Sequence, residues 1–325
     1  MKALWLKLNQ LFEGNRLIED AKPPRPKSVV LRRLMPVILI GMLGGFFVAS
    51  QVVLIPLLVL VLPYINPWLV ELGDTNPLMA ETLTFTLNLI VFFAGIYLVV
   101  FIWVRFMEKR PFKSIGFHPQ RALRRFVVGF SLATLSMGIM ALLLLAFGDA
   151  VIDQGGLAVT GLSALPFVMI VLIGWLVQGS AEEVLFQGWF MPTSSKLVSP
   201  SVGIALSALM FALFHALNPN MSGLAFLNLM LYGVFAALYA LYEEGIIGIA
   251  AYHVAWNWTQ GNVFGQGVSG ASSIDASFWN LSYHSENLFN GGAFGPEGGL
   301  VTTIVLLISI VIVGWLTQKK RVNQT

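Results

Sequence analysis

The chain has 325 residues, 57% of them hydrophobic and only 11% charged, with a mean hydropathy of +0.78, which excludes an ordinary soluble domain. Its net charge of +3 is not a nucleic-acid signal, because the 19 Lys and Arg residues flank apolar runs and form no folded basic surface. The absence of cysteine excludes disulfides, thiolate metal sites and a cysteine nucleophile.

The pattern predicts an all-α, polytopic membrane protein. The first 33 residues read as a cytoplasmic tail, with an amphipathic start, "LWLKLNQLF", suited to lying on a membrane surface, and a stiff basic connector, "AKPPRPK". About eight apolar runs then follow, each near or above the roughly 20 residues that cross a bilayer as a helix. They run from Pro36 to Tyr64, Thr84 to Phe106, Phe126 to Phe147, Leu162 to Met191, Ser201 to Ala216, Ser222 to Tyr242, Ile246 to Gln260 and Leu300 to Leu316. Pro36, Pro56 and Pro63 predict a kink or a break in the first run.

These runs divide the chain into a tail (1–33), three helices with a basic linker (34–161), a four-helix core (162–260), a Gly/Ser/Asn-rich outer loop (261–299), and a last helix with a basic tail (300–325). The outer loop reads as a flap over the outer face.

Charge placement sets the orientation, since basic residues beside spans stay on the cytoplasmic side. With eight spans and both termini cytoplasmic, all 19 Lys and Arg fall on one face. The opposite loops then carry only acids: Glu71, Asp74, Asp149, Asp153, Asp275, Glu286 and Glu297. An odd number of spans would spoil this partition. The basic face suits anionic lipid headgroups, and the start into a basic tail, with no signal-peptide pattern, fits a bacterial plasma membrane, with an organelle membrane as the alternative.

Few ionisable groups fall inside the spans: Glu182 and Glu183 in the fourth, His215 in the fifth and His253 in the seventh, joined by the neutral Asn257. Two carboxylates at mid-membrane cost roughly 5 to 7 kcal/mol on an insertion scale, and the 13 Leu, Ile, Val and Phe residues between Leu165 and Phe190 return roughly 4 to 8. The fourth helix therefore depends on partners that satisfy its acids. If the fourth and fifth helices form an antiparallel hairpin turning at "TSSKLVSP", Glu182 and His215 lie at equal depth, about 20 Å from the cytoplasmic boundary. His253 and Asn257, four residues apart on one helical face, reach roughly 13 and 20 Å from the next cytoplasmic turn.

Acids and histidines that converge in a dry cavity suit general acid/base chemistry; the plainer role for such residues is interhelical hydrogen bonding. Phe211, Phe214, Trp256 and Trp258 read as packing or cavity walls, and His118 and His284 as bystanders. Glu243 and Glu244 read as solvated residues at a cytoplasmic helix end.

The clusters "EEVLFQG", "FALFH" (Phe211 to His215) and "HVAWN" (His253 to Asn257), in that order, resemble the three motifs of the CAAX-protease and bacteriocin-processing family of intramembrane proteases, the type II CAAX prenyl endopeptidase-like group. The resemblance covers about Leu162 to Gln260. Gln187 departs from it, standing where the family pattern has an Arg. Without that positive charge, the close pair Glu182 and Glu183 is expected to retain a proton.

The resemblance implies an intramembrane endopeptidase acting on a membrane protein or peptide, with Glu182 as general base and His215 orienting the attacking water. His253 and Asn257 would donate to the oxyanion, with Glu183, Gln187 and Phe211 as support. A zinc version would use Glu182, His215 and His253 as ligands. The lack of a His-Glu-x-x-His signature, and the redundancy of the second glutamate, favour a route without a cofactor. The alternative is a catalytically silent relative that binds a partner or confers immunity to a bacteriocin. A proton-coupled transporter finds no support in repeated halves.

Overall fold

The computed structural model describes residues 9–24, 26, 28–153 and 156–323. Most of the amphipathic start, and Arg25 and Lys27 of the connector, lie outside the described residues. The chain is an all-α integral membrane protein: among the described residues, seven helical segments are long and apolar enough to cross a bilayer.

After a short turn of helix, α1 (Arg16–Glu19), come α2 (Val29–Val53), α3 (Ile55–Thr75) and α4 (Pro77–Ile102), the last prolonged by a π turn, Trp103–Met107. The predicted first run is thus two helices rather than one. Leu54, at the joint, keeps right-handed helical backbone angles (φ −90°, ψ −9°), and Pro56 follows in the first turn of α3. Pro56 has no N–H to continue the ladder, so the chain breaks there without reversing. Asn76 caps α4 by accepting from the Met79 amide at 3.1 Å.

The linker leads into α5 (Ala122–Ala146), and α6 (Leu165–Glu183) runs through a π turn, Val184–Phe190, into α7 (Met191–Leu197). Two shorter helices follow the pattern less fully. α8 (Pro200–Phe214) has 15 residues and ends one residue before His215; α10 (Ile247–Trp258) has 12 and continues as a π turn to Val263. Between them lies α9 (Gly223–Glu243), and α11 (Leu300–Val322) closes the chain. At about 1.5 Å per residue, α8 reaches roughly 22 Å, so His215 sits on a turn inside the bundle.

One end of the bundle gathers the basic residues. Lys196 pairs with Glu19 and Lys320 with Glu244, both at 2.9 Å. Arg125 donates to the Glu243 carbonyl at 2.9 Å, and Asn15 to that of Leu241 at 2.8 Å. Glu243 itself accepts from the Gly248 amide at 3.0 Å, so neither glutamate at this helix end is merely solvated. Phe12, Leu17 and Ile18 are buried in the protein core, so the described part of the tail packs against protein, where a lipid-facing helix was expected.

The acidic segments meet at the other end. There β1 (Ala150–Asp153) pairs antiparallel with β4 (Asn280–Tyr283), and β2 (Val159–Thr160) pairs parallel with β3 (Ala276–Ser277). Asn287 donates to Asp149 at 2.6 Å, and the Asp275 amide to Glu81 at 3.4 Å. The outer loop is therefore a strand-paired structure docked on the helix ends, and not the flap expected. Glu81 puts the start of α4 at the acidic end, and among the described residues α2 and α3 are each long and apolar enough to cross a bilayer, where the sequence pattern predicts them as one of eight spans.

Two glycines let helices touch. A Cβ on Gly95 would lie 2.1 Å from the Ser50 carbonyl oxygen, and one on Gly129 would lie 2.0 Å from that of Gly248. Each helix pair, α2 with α4 and α5 with α10, crosses at a distance only glycine permits.

Candidate active site

Helix α6 carries the two acids on consecutive residues, about 100° apart around the axis. They lie in different surroundings but share His253 as a neighbour. Glu183, with no exposed surface, meets the Nδ1 atom of His253 at 2.9 Å and accepts from the Tyr232 hydroxyl at 3.4 Å. Glu182 faces a cavity of about 260 Å³.

Three side chains close on Glu182. Its Oε2 atom lies 3.9 Å from His215 Nε2 and 3.8 Å from His253 Nε2, and has no hydrogen-bond partner among the described residues. Its Oε1 accepts from Gln178 Nε2 at 2.8 Å, one turn earlier on α6, and Gln178 Oε1 accepts from Asn257 Nδ2 at 2.8 Å. The amide of Gln178 thus couples α6 to α10. His215 follows the end of α8, its Nδ1 bonded to the Phe211 carbonyl oxygen at 2.8 Å, and its ring stacks against Phe211 with centroids 4.6 Å apart. A carbonyl only accepts, so the proton of neutral His215 is on Nδ1, and Nε2 presents a lone pair to the cavity.

The structure therefore brings Glu182, Glu183, His215, His253, Asn257 and Phe211 together. Gln187 stands apart. It is fully buried in the π turn, its Oε1 3.5 Å from the Ser207 hydroxyl and its Nε2 without a partner. Among the described residues no hydrogen bond joins it to Glu183, because the π turn widens the spacing that would stack positions four apart in an α-helix.

The cavity walls on the α2 and α4 side are apolar: Phe47, Leu89, Phe93 and Ile96, opposite Phe186 and Phe214. Trp256 lines the cavity, whereas Trp258 points away and donates to the Val168 carbonyl at 2.9 Å. His118 lies at the basic end and His284 in the outer segments, both remote from the cavity.

Further polar residues line the cavity without having been singled out in the sequence, among them Gln178, Asn228, Tyr232 and Glu297. Gln178 had a usable signal, its spacing of four from Glu182 on one helix. Glu297 had none, since it lies in a Gly-rich outer segment where an acid reads as solvated. It is in fact 7% exposed, and it accepts from Trp256 Nε1 at 3.0 Å, Gln260 Nε2 at 3.2 Å, and the Ser269 amide and hydroxyl at 2.5 and 3.0 Å.

The fit to zinc is incomplete. A tetrahedral ion about 2.0 to 2.2 Å from each ligand would hold Glu182, His215 and His253 atoms within roughly 3.5 Å of one another, closer than the 3.8 and 3.9 Å found. No His, Cys, Asp or Glu group among the described residues has metal-binding geometry.

As arranged, the site can activate a small molecule between Glu182 and His215 and offer donors from α10. No curated protein and no solved structure matches the chain. Residues 164–259, just under a third of the chain, match the family model described as Type II CAAX prenyl endopeptidase Rce1-like, a peptidase family and the one the three motifs resemble.

Proposed function

We propose that this protein is an intramembrane endopeptidase that hydrolyses peptide bonds of membrane-associated proteins or peptides with a water molecule activated by Glu182. The observation that carries the reading is the unpartnered Glu182 Oε2, facing two imidazole Nε2 atoms at 3.9 and 3.8 Å inside a buried cavity. A water about 2.8 Å from both Glu182 Oε2 and His215 Nε2 bridges that gap and donates one hydrogen to each.

As the water oxygen attacks the scissile carbonyl carbon, Glu182 takes its proton. The oxyanion that forms accepts from Asn257, which has a second amide hydrogen beyond the one given to Gln178, and from His253. With the single proton of the glutamate pair on Glu183, Glu183 donates to His253 Nδ1, and the imidazole proton lies on Nε2, where it faces the cavity. Each such donor is worth about 2.7 to 4 kcal/mol in the transition state. Collapse of the intermediate breaks the C–N bond as Glu182 passes its proton to the leaving amine. The basic end faces the cytoplasm and anionic headgroups, in a bacterial plasma membrane.

The test is cleavage of a quenched fluorescent library of membrane peptides by the purified protein, comparing wild type with Glu182→Ala, with and without chelator. Loss in the variant and indifference to chelator support the reading. Cleavage abolished by chelator and restored by zinc would make Glu182 a metal ligand. No wild-type cleavage would favour a silent, partner-binding relative.

A further inference from the structure

Glu297 gives the cavity an acid that the proposed reaction does not use. It comes from the outer segment just before α11, beyond the stretch that matches the family. Its carboxylate is held by four neutral donors, three on Oε2 and one on Oε1. The segment is fixed from both sides: Asn228 donates to the Glu297 carbonyl at 2.7 Å, and Thr302 to that of Pro296 at 2.6 Å.

The cavity contains no compensating charge. Glu182 and Glu297 both line it, and no Lys or Arg is among its lining residues. No Lys or Arg pairs with Glu297 anywhere among the described residues, and the basic residues gather at the far end of the bundle. A buried carboxylate surrounded only by neutral dipoles is stabilised further by a cation that reaches it, and a cavity of this sign repels an anionic occupant.

Resting on the endopeptidase reading above, we propose that this cavity selects substrates carrying a cationic amine, a Lys side chain or a free amino terminus, which Glu297 binds on the outer side of the scissile bond. Trp256, whose indole holds Glu297, is three residues from His253 on α10, a rise of about 4.5 Å. An extended peptide covers roughly 3.3 to 3.6 Å per residue, so the two residues on either side of the cleaved bond are the positions to scan. Glu297 is then a specificity-determining residue for the reaction.

The experiment uses the full-length protein in liposomes and four series of peptides built on one apolar sequence. Three are N-acetylated, with Lys, norleucine or Glu scanned over the two positions on either side of the cleaved bond; the fourth has norleucine and a free amino terminus. The wild type is expected to prefer Lys or the free amine over the acetylated norleucine peptide by roughly tenfold or more in kcat/KM, the effect of one charge-assisted contact, and to disfavour the Glu peptide. Glu297→Gln should bring the ratio close to one. Which of the two amine peptides is favoured identifies the source of the cation.

Equal cleavage of all four kinds of peptide by the wild type would overturn this inference and leave the endopeptidase reading standing. If Glu297→Gln does not fold, the wild type's discrimination of the two amine peptides from the acetylated norleucine and Glu peptides decides the matter alone. If no peptide is cleaved, the endopeptidase reading fails first. Displacement of a fluorescent peptide from the wild type then decides, with equal affinity for the two amine peptides and the acetylated norleucine peptide counting against the proposal.

Discussion

The crossing of α5 and α10 offers the sharpest test of how packing sets the site. Replacing Gly129 with Ala would put a Cβ 2.0 Å from the Gly248 carbonyl oxygen and 2.8 Å from its carbon. Carbon contacts settle near 3.5 to 4.0 Å, so the helices must part by about 1 to 1.5 Å even if both give a little. His253 lies five residues beyond Gly248 on the same helix, and its 2.9 Å contact with Glu183 would lengthen toward about 4 Å, outside hydrogen-bond range. A misplacement of this size costs on the order of 100-fold in rate, and overpacking costs about 1 to 3 kcal/mol of stability. Gly138, on the same helix, is the control: a Cβ there meets nothing within 4 Å, and Gly138→Ala should leave activity intact and add about 0.5 to 1 kcal/mol. The assay is kcat/KM on the best library peptide, well below the thermal midpoint of each variant in detergent. Wild-type activity in Gly129→Ala, or an equal loss in Gly138→Ala, would refute the argument that this crossing positions His253.

Gln187→Arg places a guanidinium where Gln187 Nε2 and Glu183 Oε2 are both buried without partners; cleavage should rise if the missing charge limits the site, and unchanged kcat/KM would show that the π turn has made it dispensable. Arg110 and Glu108 form a buried pair at 2.5 Å, with Glu108 also accepting from Trp103 and Trp189 at 3.0 and 2.8 Å; Arg110→Met leaves that carboxylate without its counter-ion and should cost about 3 to 5 kcal/mol, read as a lower thermal midpoint. His118, buried at the basic end, has its pKa lowered by burial and by the charges of Arg16 and Arg125, with Asp20 opposing. The unfolded chain therefore binds its proton more readily below about pH 6.5, so stability should fall as pH drops through that region. A slope of midpoint against pH that is the same in His118→Gln would contradict this assignment.

The membrane class and the helix order were legible because apolar length and basic flanks are properties of the chain itself. The break at Leu54 was legible as a proline signal, but whether the chain reversed there was not; that depends on Leu54 keeping helical angles and on Glu81 meeting the outer loop. Residues Phe12, Leu17 and Ile18 show a different limit: an apolar face looks the same whether lipid or protein will cover it. The motif residues could be placed at similar depth by counting, because a helix rises steadily. Glu297 could not, since its depth depends on a Gly-rich segment folding under Trp256 and Gln260. Glu108 and Arg110 are illegible for the same reason, since their sequence position gives no sign that Trp103 and Trp189 close over Glu108.

The adjacency of Glu182 and Glu183, costly as it is in a membrane, has a geometric use. Consecutive residues on a helix point about 100° apart, so the two acids approach the His253 imidazole from different sides, Glu182 at Nε2 and Glu183 at Nδ1. Glu182 turns to the cavity, where its Oε2 atom is left open. Glu183 turns to α9 and α10, where Tyr232 and His253 enclose it. Gln178 then ties the first acid to Asn257 on α10, so α10 is held to α6 twice, once through each glutamate. The second carboxylate is thus the element that fixes how the imidazole of His253 is presented to the first. This arrangement makes the pair interdependent: moving either acid one position along α6 would turn it away from both partners while leaving the hydropathy of the helix unchanged.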